Sequence, residues 1–171
     1  MIITLTGFMG CGKSSVGRAL AERLGWEFVD LDEYIVHKKG MNIPEIFEQE
    51  GEETFRAIEA ECLRDVVVMH RIAGGDVVLA LGGGTMSIKP VLRLILEQTE
   101  CFWIKASLKT CLNRIGPDAS GRPVLDSRCS ASTIEELFSK RERLYSLAPH
   151  HIESDNMNKE ELVEDICRQI I

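Results

Sequence analysis

The run Gly7-Phe8-Met9-Gly10-Cys11-Gly12-Lys13-Ser14 limits what this chain can fold into more than any other segment. It has the form GxxxxGK[ST]. A short β-branched stretch, Ile2 to Thr6, precedes it, and a stretch of helical period, Lys13 to Leu24, follows. A glycine-rich turn between a strand and a helix lets backbone N–H groups converge on one point, because glycine tolerates positive φ. The N-terminus of the following helix turns its partial positive charge to the same point. Lys13 adds a mobile charge, and the Ser14 hydroxyl offers one ligand to Mg²⁺. Together these residues describe a cradle for the phosphates of ATP with magnesium. A chance glycine-rich turn is the alternative, and the flanking strand and helix argue against it. The motif alone does not separate a kinase from a hydrolase, a switch or a transport ATPase.

The rest of the chain alternates between the two periodicities. Strands are expected at residues 2–6, 26–30, 77–81, 101–106 and 151–154. Helices are expected at 13–24, from 31 to about 39, at 42–49, and over a stretch where Phe55, Ile58, Cys62, Val66 and Met69 share one face. Further helices are expected at 87–98, 107–114, 132–148 and from 158 to the C-terminus. Asn42 with Glu45, and Ser132 with Glu135, read as capping boxes; Ser87 and Asn158 read as N-caps. Residues 77–81 are continuously apolar, as in a strand buried on both faces. The alternation predicts an α/β fold, a parallel sheet between two layers of helices, in a single domain spanning 1–171. Residues 115–131 are irregular, with Gly116, Pro117, Gly121 and Pro123, and are expected to form a mobile lid.

Composition bounds the function. The chain has 171 residues, 44% of them apolar, enough for one substantial core. Its formal net charge of −7 argues against a nucleic-acid partner, which needs a basic footprint. Any anionic ligand must then be drawn by a local cluster of Lys and Arg. The cysteines, Cys11, Cys62, Cys101, Cys111, Cys129 and Cys167, form no CxxC pair and no zinc spacing with the histidines, and read as free thiols in a reducing compartment. Without a signal-peptide pattern or an apolar stretch long enough to span a bilayer, the expectation is a cytoplasmic protein with no membrane contact.

Several residues could form an acceptor side. Asp30 and Asp32 alternate at the end of the second strand, so both carboxylates can face the sheet edge where ligands bind. One can hold Mg²⁺ and the other can orient a hydroxyl or take its proton; a plain helix N-cap is the alternative. Gly82-Gly83-Gly84 follows a buried strand and could bring backbone N–H groups up to a ligand, or be a simple turn. Arg56 and Glu59 could grip and orient a substrate carboxylate; taken alone they read as an ordinary surface ion pair. Arg122-Pro123 lies in the expected lid, where an Arg can neutralise charge on a transferred phosphoryl group. Arg141 lies in a charge run that by itself is a solvated helix face.

In order, these pieces resemble the shikimate kinase family. They are the phosphate loop, Asp30-Leu31-Asp32, Phe55-Arg56-Ala57-Ile58-Glu59, the triple glycine, Arg122-Pro123 and Lys140-Arg141-Glu142-Arg143-Leu144-Tyr145. The resemblance covers nearly the whole chain. It implies a three-layer αβα sandwich with a five-stranded parallel sheet in the order 2-3-1-4-5, and substrate-binding helices at about 32–70. It implies transfer of the ATP γ-phosphoryl group to the 3-hydroxyl of shikimate; apart from the resemblance, a monomer is expected. The resemblance assigns ATP to Gly10, Cys11, Gly12, Lys13, Ser14 and Ser15, with the Cys11 side chain a spectator. It assigns Mg²⁺ to Ser14 and Asp30, the acceptor hydroxyls to Asp32, and the shikimate carboxylate to Arg56 and Arg141. Gly82, Gly83 and Gly84 lie beside the acceptor, Phe47 and Phe55 wall it, and Arg122 acts on ATP. The chain departs from the family pattern in three places. Arg143 stands where a proline often precedes Leu-Tyr, and the lid is lengthened around Gly116 to Gly121. Met157-Asn158-Lys159 replaces an adenine-side arginine, which makes Asn158 the ATP-binding candidate there. Gluconate kinase, whose acceptor also carries a carboxylate and hydroxyls, is the nearest rival. A non-catalytic regulator of the same fold is another, and it predicts loss of Lys13, Asp32 or the lid arginine, all of which are present.

Overall fold

The computed structural model describes residues 1–116 and 130–171. Five parallel strands form one sheet in the order β2-β3-β1-β4-β5, where β1 is Ile2–Thr6, β2 Glu27–Asp30, β3 Val77–Ala80, β4 Glu100–Lys105 and β5 His150–Glu153. The expected order is therefore the observed one. β3 and β1 are buried along their whole length, β3 as its unbroken apolar run requires and β1 with Thr4 and Thr6 buried among its apolar residues, while the edge strand β2 is half-exposed. Leu5, Leu79, Phe102 and Ile104 are fully buried at the centre of the sheet.

The helices are α1 Lys13–Leu24, α2 Leu31–Lys39, α3 Ile43–Ala73, α4 Lys89–Gln98, α5 Leu108–Ile115, α6 Ala131–Tyr145 and α7 Lys159–Ile170, with a short 3₁₀ turn at Thr85–Ser87. None of the described helices is long and apolar enough to cross a membrane. The register places Asp30 opposite Ala80, and Ala80 opposite Leu5. The phosphate loop, the Asp30–Asp32 segment and the triple glycine therefore leave neighbouring strands at one edge of the sheet. The chain passes from β1 to one side for β2 and β3 and to the other for β4. The edge is thus a topological switch point, where α/β sheets open a crevice.

Several local expectations change. The helix expected at 42–49 and the one expected over the stretch from Phe55 are both present; they adjoin within α3, separated by a non-helical kink at Gly51 (φ 85°, ψ 167°). Met69 lies off the buried stripe and is exposed, because the stripe runs through Phe55, Glu59, Cys62, Leu63, Val66 and His70 instead. Ser87 does not cap α4: its hydroxyl donates to the Gly84 carbonyl inside the 3₁₀ turn, and Ile88 is the cap residue. Ser130, not Ser132, caps α6 by accepting from the Thr133 N–H, and α6 stops at Tyr145 rather than 148. The capping boxes at Asn42–Glu45 and Asn158–Glu161 both form. Of the expected lid at 115–131, residues 117–129, including Arg122, lie outside the described residues.

Candidate active site

The phosphate loop is held against the sheet by contacts that leave no room for side chains. A Cβ on Gly7 (φ +148°) would lie 2.7 Å from both the Cys11 sulfur and the Ile104 carbonyl oxygen. One on Gly10 (φ +82°) would lie 2.6 Å from the Cys111 carbonyl oxygen. The loop is thus wedged between β4 and α5, and the Cys11 side chain is buried packing beneath Gly7 rather than facing the cavity. Gly12, at φ +98°, begins α1 with no side-chain cap, so the first N–H groups of the helix keep their donors. Lys13 is almost buried, and its ammonium donates to the carbonyls of Gly7 (2.8 Å) and Phe8 (3.2 Å). The Arg114 guanidinium reaches the loop from α5 and donates to the Cys11 carbonyl at 2.9 Å.

Asp30 does both things the sequence left open. Its Oδ1 accepts from the N–H groups of Asp32 (3.0 Å) and Glu33 (3.3 Å), capping α2, while its Oδ2 accepts from the Ser14 hydroxyl. Asp32, two residues on in the first turn of α2, lines the same cavity. Crowding by protein atoms, then the Glu59 carboxylate, then that of Asp30, raise its carboxyl to about 6; Lys13 and Arg56 pull the other way.

The triple glycine is explained by what lies on it. A Cβ at Gly82 would sit 2.8 Å from Glu59 Oε1 and 3.3 Å from Asp32 Oδ1. One at Gly83 would sit 3.3 Å from Arg141 Nη1, and one at Gly84 2.5 Å from Arg56 Nη2. None of the three has positive φ. The absence of side chains here makes room for the polar groups of α2, α3 and α6 rather than for an unusual backbone.

Arg56 and Glu59 are not a surface ion pair. Glu59 is 0% exposed, and its Oε2 accepts from Arg56 Nη1 at 2.7 Å. Arg141 is 7% exposed, and its Nη1 has no hydrogen-bond partner among the described residues. Burial pulls its pKa down from the ordinary arginine value. The Tyr145 hydroxyl donates to the Gly83 carbonyl, fixing the glycine against which Arg141 packs. One cavity of about 470 Å³ is lined by Lys13, Ser14, Ser15, Asp30, Asp32, Arg56, Glu59, Gly82, Gly83, Gly84, Arg114 and Arg141, with Ile43, Phe47 and Phe55 as an apolar wall. The Phe47 and Phe55 ring centroids are 4.8 Å apart.

The site can hold two anions. The loop, Lys13 and the start of α1 supply one set of donors to the cavity, and the Arg56 and Arg141 guanidinium groups, packed over Gly84 and Gly83, supply another. This local cationic cluster stands in a chain of net charge −7. A carboxyl raised to about 6 is still chiefly ionised at neutral pH, so Asp32 can accept a hydrogen bond there. Asn158 is not brought into the cavity lining: it is exposed, and its side chain accepts from the Glu161 N–H as the cap of α7. Sequence reasoning left Arg114 without a place and missed the burial of Glu59. The i, i+4, i+7 spacing of Phe55, Glu59 and Cys62 marks Glu59 as part of the buried stripe.

A sequence model described as shikimate kinase matches residues 9–171. The shikimate kinase of Thermus thermophilus is 38% identical, over 98% of this chain and 89% of its own length. The solved structure titled shikimate kinase from Acinetobacter baumannii in complex with shikimate matches with a TM-score of 0.90 at 34% identity, covering 99% of this chain and 92% of that one. A sugar kinase from Janibacter sp. matches with a TM-score of 0.66 at 16% identity, a likeness of fold alone.

Proposed function

Because the chain belongs to the shikimate kinase family, we propose that it transfers the γ-phosphoryl group of ATP to the 3-hydroxyl of shikimate. The observation that carries the choice of acceptor is Arg141. A guanidinium 7% exposed, with one nitrogen unpartnered among the described residues, calls for an anion in the cavity beside the triple glycine. Arg56, stacked flat over Gly84, supplies a second fork for the same carboxylate. A neutral sugar would leave the buried Arg141 nitrogen without a partner, and that selects against it.

Gly10, Cys11 and Gly12 offer their backbone N–H groups, and Ser15 its place in the first turn of α1, to the phosphates of ATP. Lys13 exchanges its loop carbonyls for the β- and γ-phosphate oxygens. Ser14 and Asp30 are the residues that would hold Mg²⁺. Their hard oxygen donors already meet, and Mg²⁺ commonly takes only one or two protein ligands beside water and phosphate. When bound, the ion neutralises charge on the β- and γ-phosphates. Asp32 orients the acceptor hydroxyl. The hydroxyl oxygen bonds to the γ-phosphorus as the bond to the β,γ-bridging oxygen breaks, the Asp32 carboxylate receives the proton, and ADP leaves. Positioning and electrostatics carry most of the rate. Arg122 is assigned to the transferred phosphoryl group, and Asn158 to the adenine side, by the family resemblance alone. We also place the enzyme in the cytoplasm as a monomer; the free thiols of Cys11, Cys62, Cys101, Cys111 and Cys167 suit a reducing compartment.

The test is ADP release with ATP–Mg²⁺ and shikimate, gluconate or no acceptor. Release that depends on shikimate supports the proposal. Release with gluconate alone, or equal release without an acceptor, overturns it.

A further inference from the structure

Thr85 has no part in the assignments above, yet it is 0% exposed and its hydroxyl donates to Glu59 Oε1. Glu59 is itself 0% exposed, and a carboxylate shut off from water is costly unless its oxygens are held. Among the described residues its side-chain partners are two: Arg56 on Oε2 at 2.7 Å, and Thr85 on Oε1. The spacing over Gly82 gives a second view of the same junction. A Cβ there would lie 2.8 Å from Glu59 Oε1, 3.0 Å from Thr85 Oγ1 and 3.3 Å from Asp32 Oδ1, so three oxygens from three elements meet above one glycine. The backbone of Thr85 is pinned as well. Its N–H donates to the Gly82 carbonyl and its carbonyl accepts from Ile88, both at 3.3 Å.

The division of labour on Glu59 matters for Arg56. A guanidinium and a carboxylate left to themselves pair through two parallel hydrogen bonds, which uses one whole edge of the fork. Thr85 occupies Oε1, so Glu59 engages Arg56 through Oε2. The next carboxylate, Glu52, stands 3.6 Å from Arg56 Nη2 and is mostly solvent-exposed. We propose that Thr85 is a positioning residue: its hydroxyl keeps Glu59 monodentate on Arg56, so that the rest of the guanidinium edge stays open to the acceptor's carboxylate. The proposal rests on the reading of Arg56 as a carboxylate-binding residue.

The experiment is steady-state kinetics of the full chain and of T85V, T85A, T85S, E59Q and E59Q/T85V, with shikimate and ATP varied separately. T85V and T85A raise the shikimate KM about tenfold, the scale of one lost hydrogen bond to a charged group, with kcat and the ATP KM within about twofold. T85S, which keeps the hydroxyl, stays near wild type. In the E59Q background T85V adds less than about a twofold change, because the two residues act as one unit. An unchanged shikimate KM in T85V or T85A, a parallel rise of both KM values, a full T85V effect on top of E59Q, or failure of serine to rescue each overturns the proposal. If T85V does not fold, T85A is judged by the same criteria. If neither folds, the hydroxyl is a folding group and the proposal fails. A wild-type chain with no shikimate-dependent ADP release would instead overturn the function itself, an outcome distinct from all of these.

Discussion

The Ser14 hydroxyl donates to the Asp30 carboxylate, tying the first turn of α1 to the end of β2. The other oxygen of that carboxylate caps α2. One side chain thus serves a helix start and, in the proposed chemistry, a metal ion. Asp30→Ala should cost about 0.5–2 kcal/mol of stability from the lost cap. It should also raise the Mg²⁺ concentration needed for half-maximal rate. Denaturant unfolding measures the first effect and a magnesium titration of activity the second; a stability loss with an unchanged magnesium requirement would leave Asp30 as a cap only.

Lys13 is held by the Gly7 and Phe8 carbonyls, so its loss leaves the loop's backbone contacts with β4 and α5 in place. Lys13→Ala should nearly abolish turnover, by roughly a hundredfold or more as expected for an electrostatic contact to the transferred group, while the melting temperature changes little. A near-normal kcat would remove Lys13 from the chemistry.

Arg141→Ala should raise the shikimate KM about tenfold to a hundredfold, in line with the loss of a buried charge-assisted contact, and leave the ATP KM largely intact. Stability should not fall, because the substitution relieves a buried guanidinium with an unpartnered nitrogen. Kinetics with each substrate varied, paired with thermal unfolding, checks both halves of this statement.

Gly84→Ala places a methyl group 2.5 Å from the Arg56 guanidinium, which must swing away. The expected result is a raised shikimate KM with the helices and the phosphate loop unaltered. Isothermal calorimetry of shikimate binding reads this directly, and wild-type affinity would show that Arg56 does not depend on that glycine.

The raised carboxyl of Asp32 sets a pH dependence. Protonated, it cannot accept the hydroxyl proton, so kcat/KM for shikimate, which reports groups of the free enzyme, should fall as pH drops through about 6. For stability the sign is opposite to that of a salt-bridged aspartate. A carboxyl raised from 3.8 to about 6 binds its proton more tightly folded than unfolded. Its contribution to stability therefore declines as pH rises from about 4 to 6 and levels off above. Asp32→Asn should accordingly lose activity at every pH and gain on wild type in unfolding stability across that window. A flat stability difference between pH 4 and 7 would show that Asp32 is not raised.

The strands, their alternation with helices and the phosphate loop were legible because their signals are local: apolar strands at regular spacing, and glycines at fixed offsets before Lys13; the sheet order was legible only through the family resemblance. Asp32, the triple glycine and Arg141 were legible only as members of an ordered set, since each alone fits a cap, a turn or a solvated face. The reason for the triple glycine was not legible. It depends on side chains from α2, α3 and α6 that are distant in sequence from residues 82–84. Glu59 was misjudged because a charged residue next to Arg56 suggests a surface pair, although its place on the stripe with Phe55, Cys62 and Val66 buries it. Ser87 and Ser132 were read as caps because serine near a helix start is a strong signal. It does not say which of several hydroxyls the backbone will use, and Ser87 turns back on Gly84 while Ser130 lies closer to the start of α6.

The kink at Gly51 has a consequence for how the pocket gets its width. Phe47 and Phe55 are eight residues apart, so on an unbroken helix they would stand about 12 Å apart along the axis and about 80° out of phase. The single left-handed, extended residue between them resets both the rise and the phase, and the two rings meet with centroids 4.8 Å apart. The breadth of the apolar wall is therefore written into one pair of backbone dihedral angles rather than into the size of any side chain. Only glycine holds that pair without strain, so the bore of the acceptor site is fixed by a residue that presents no side chain to it.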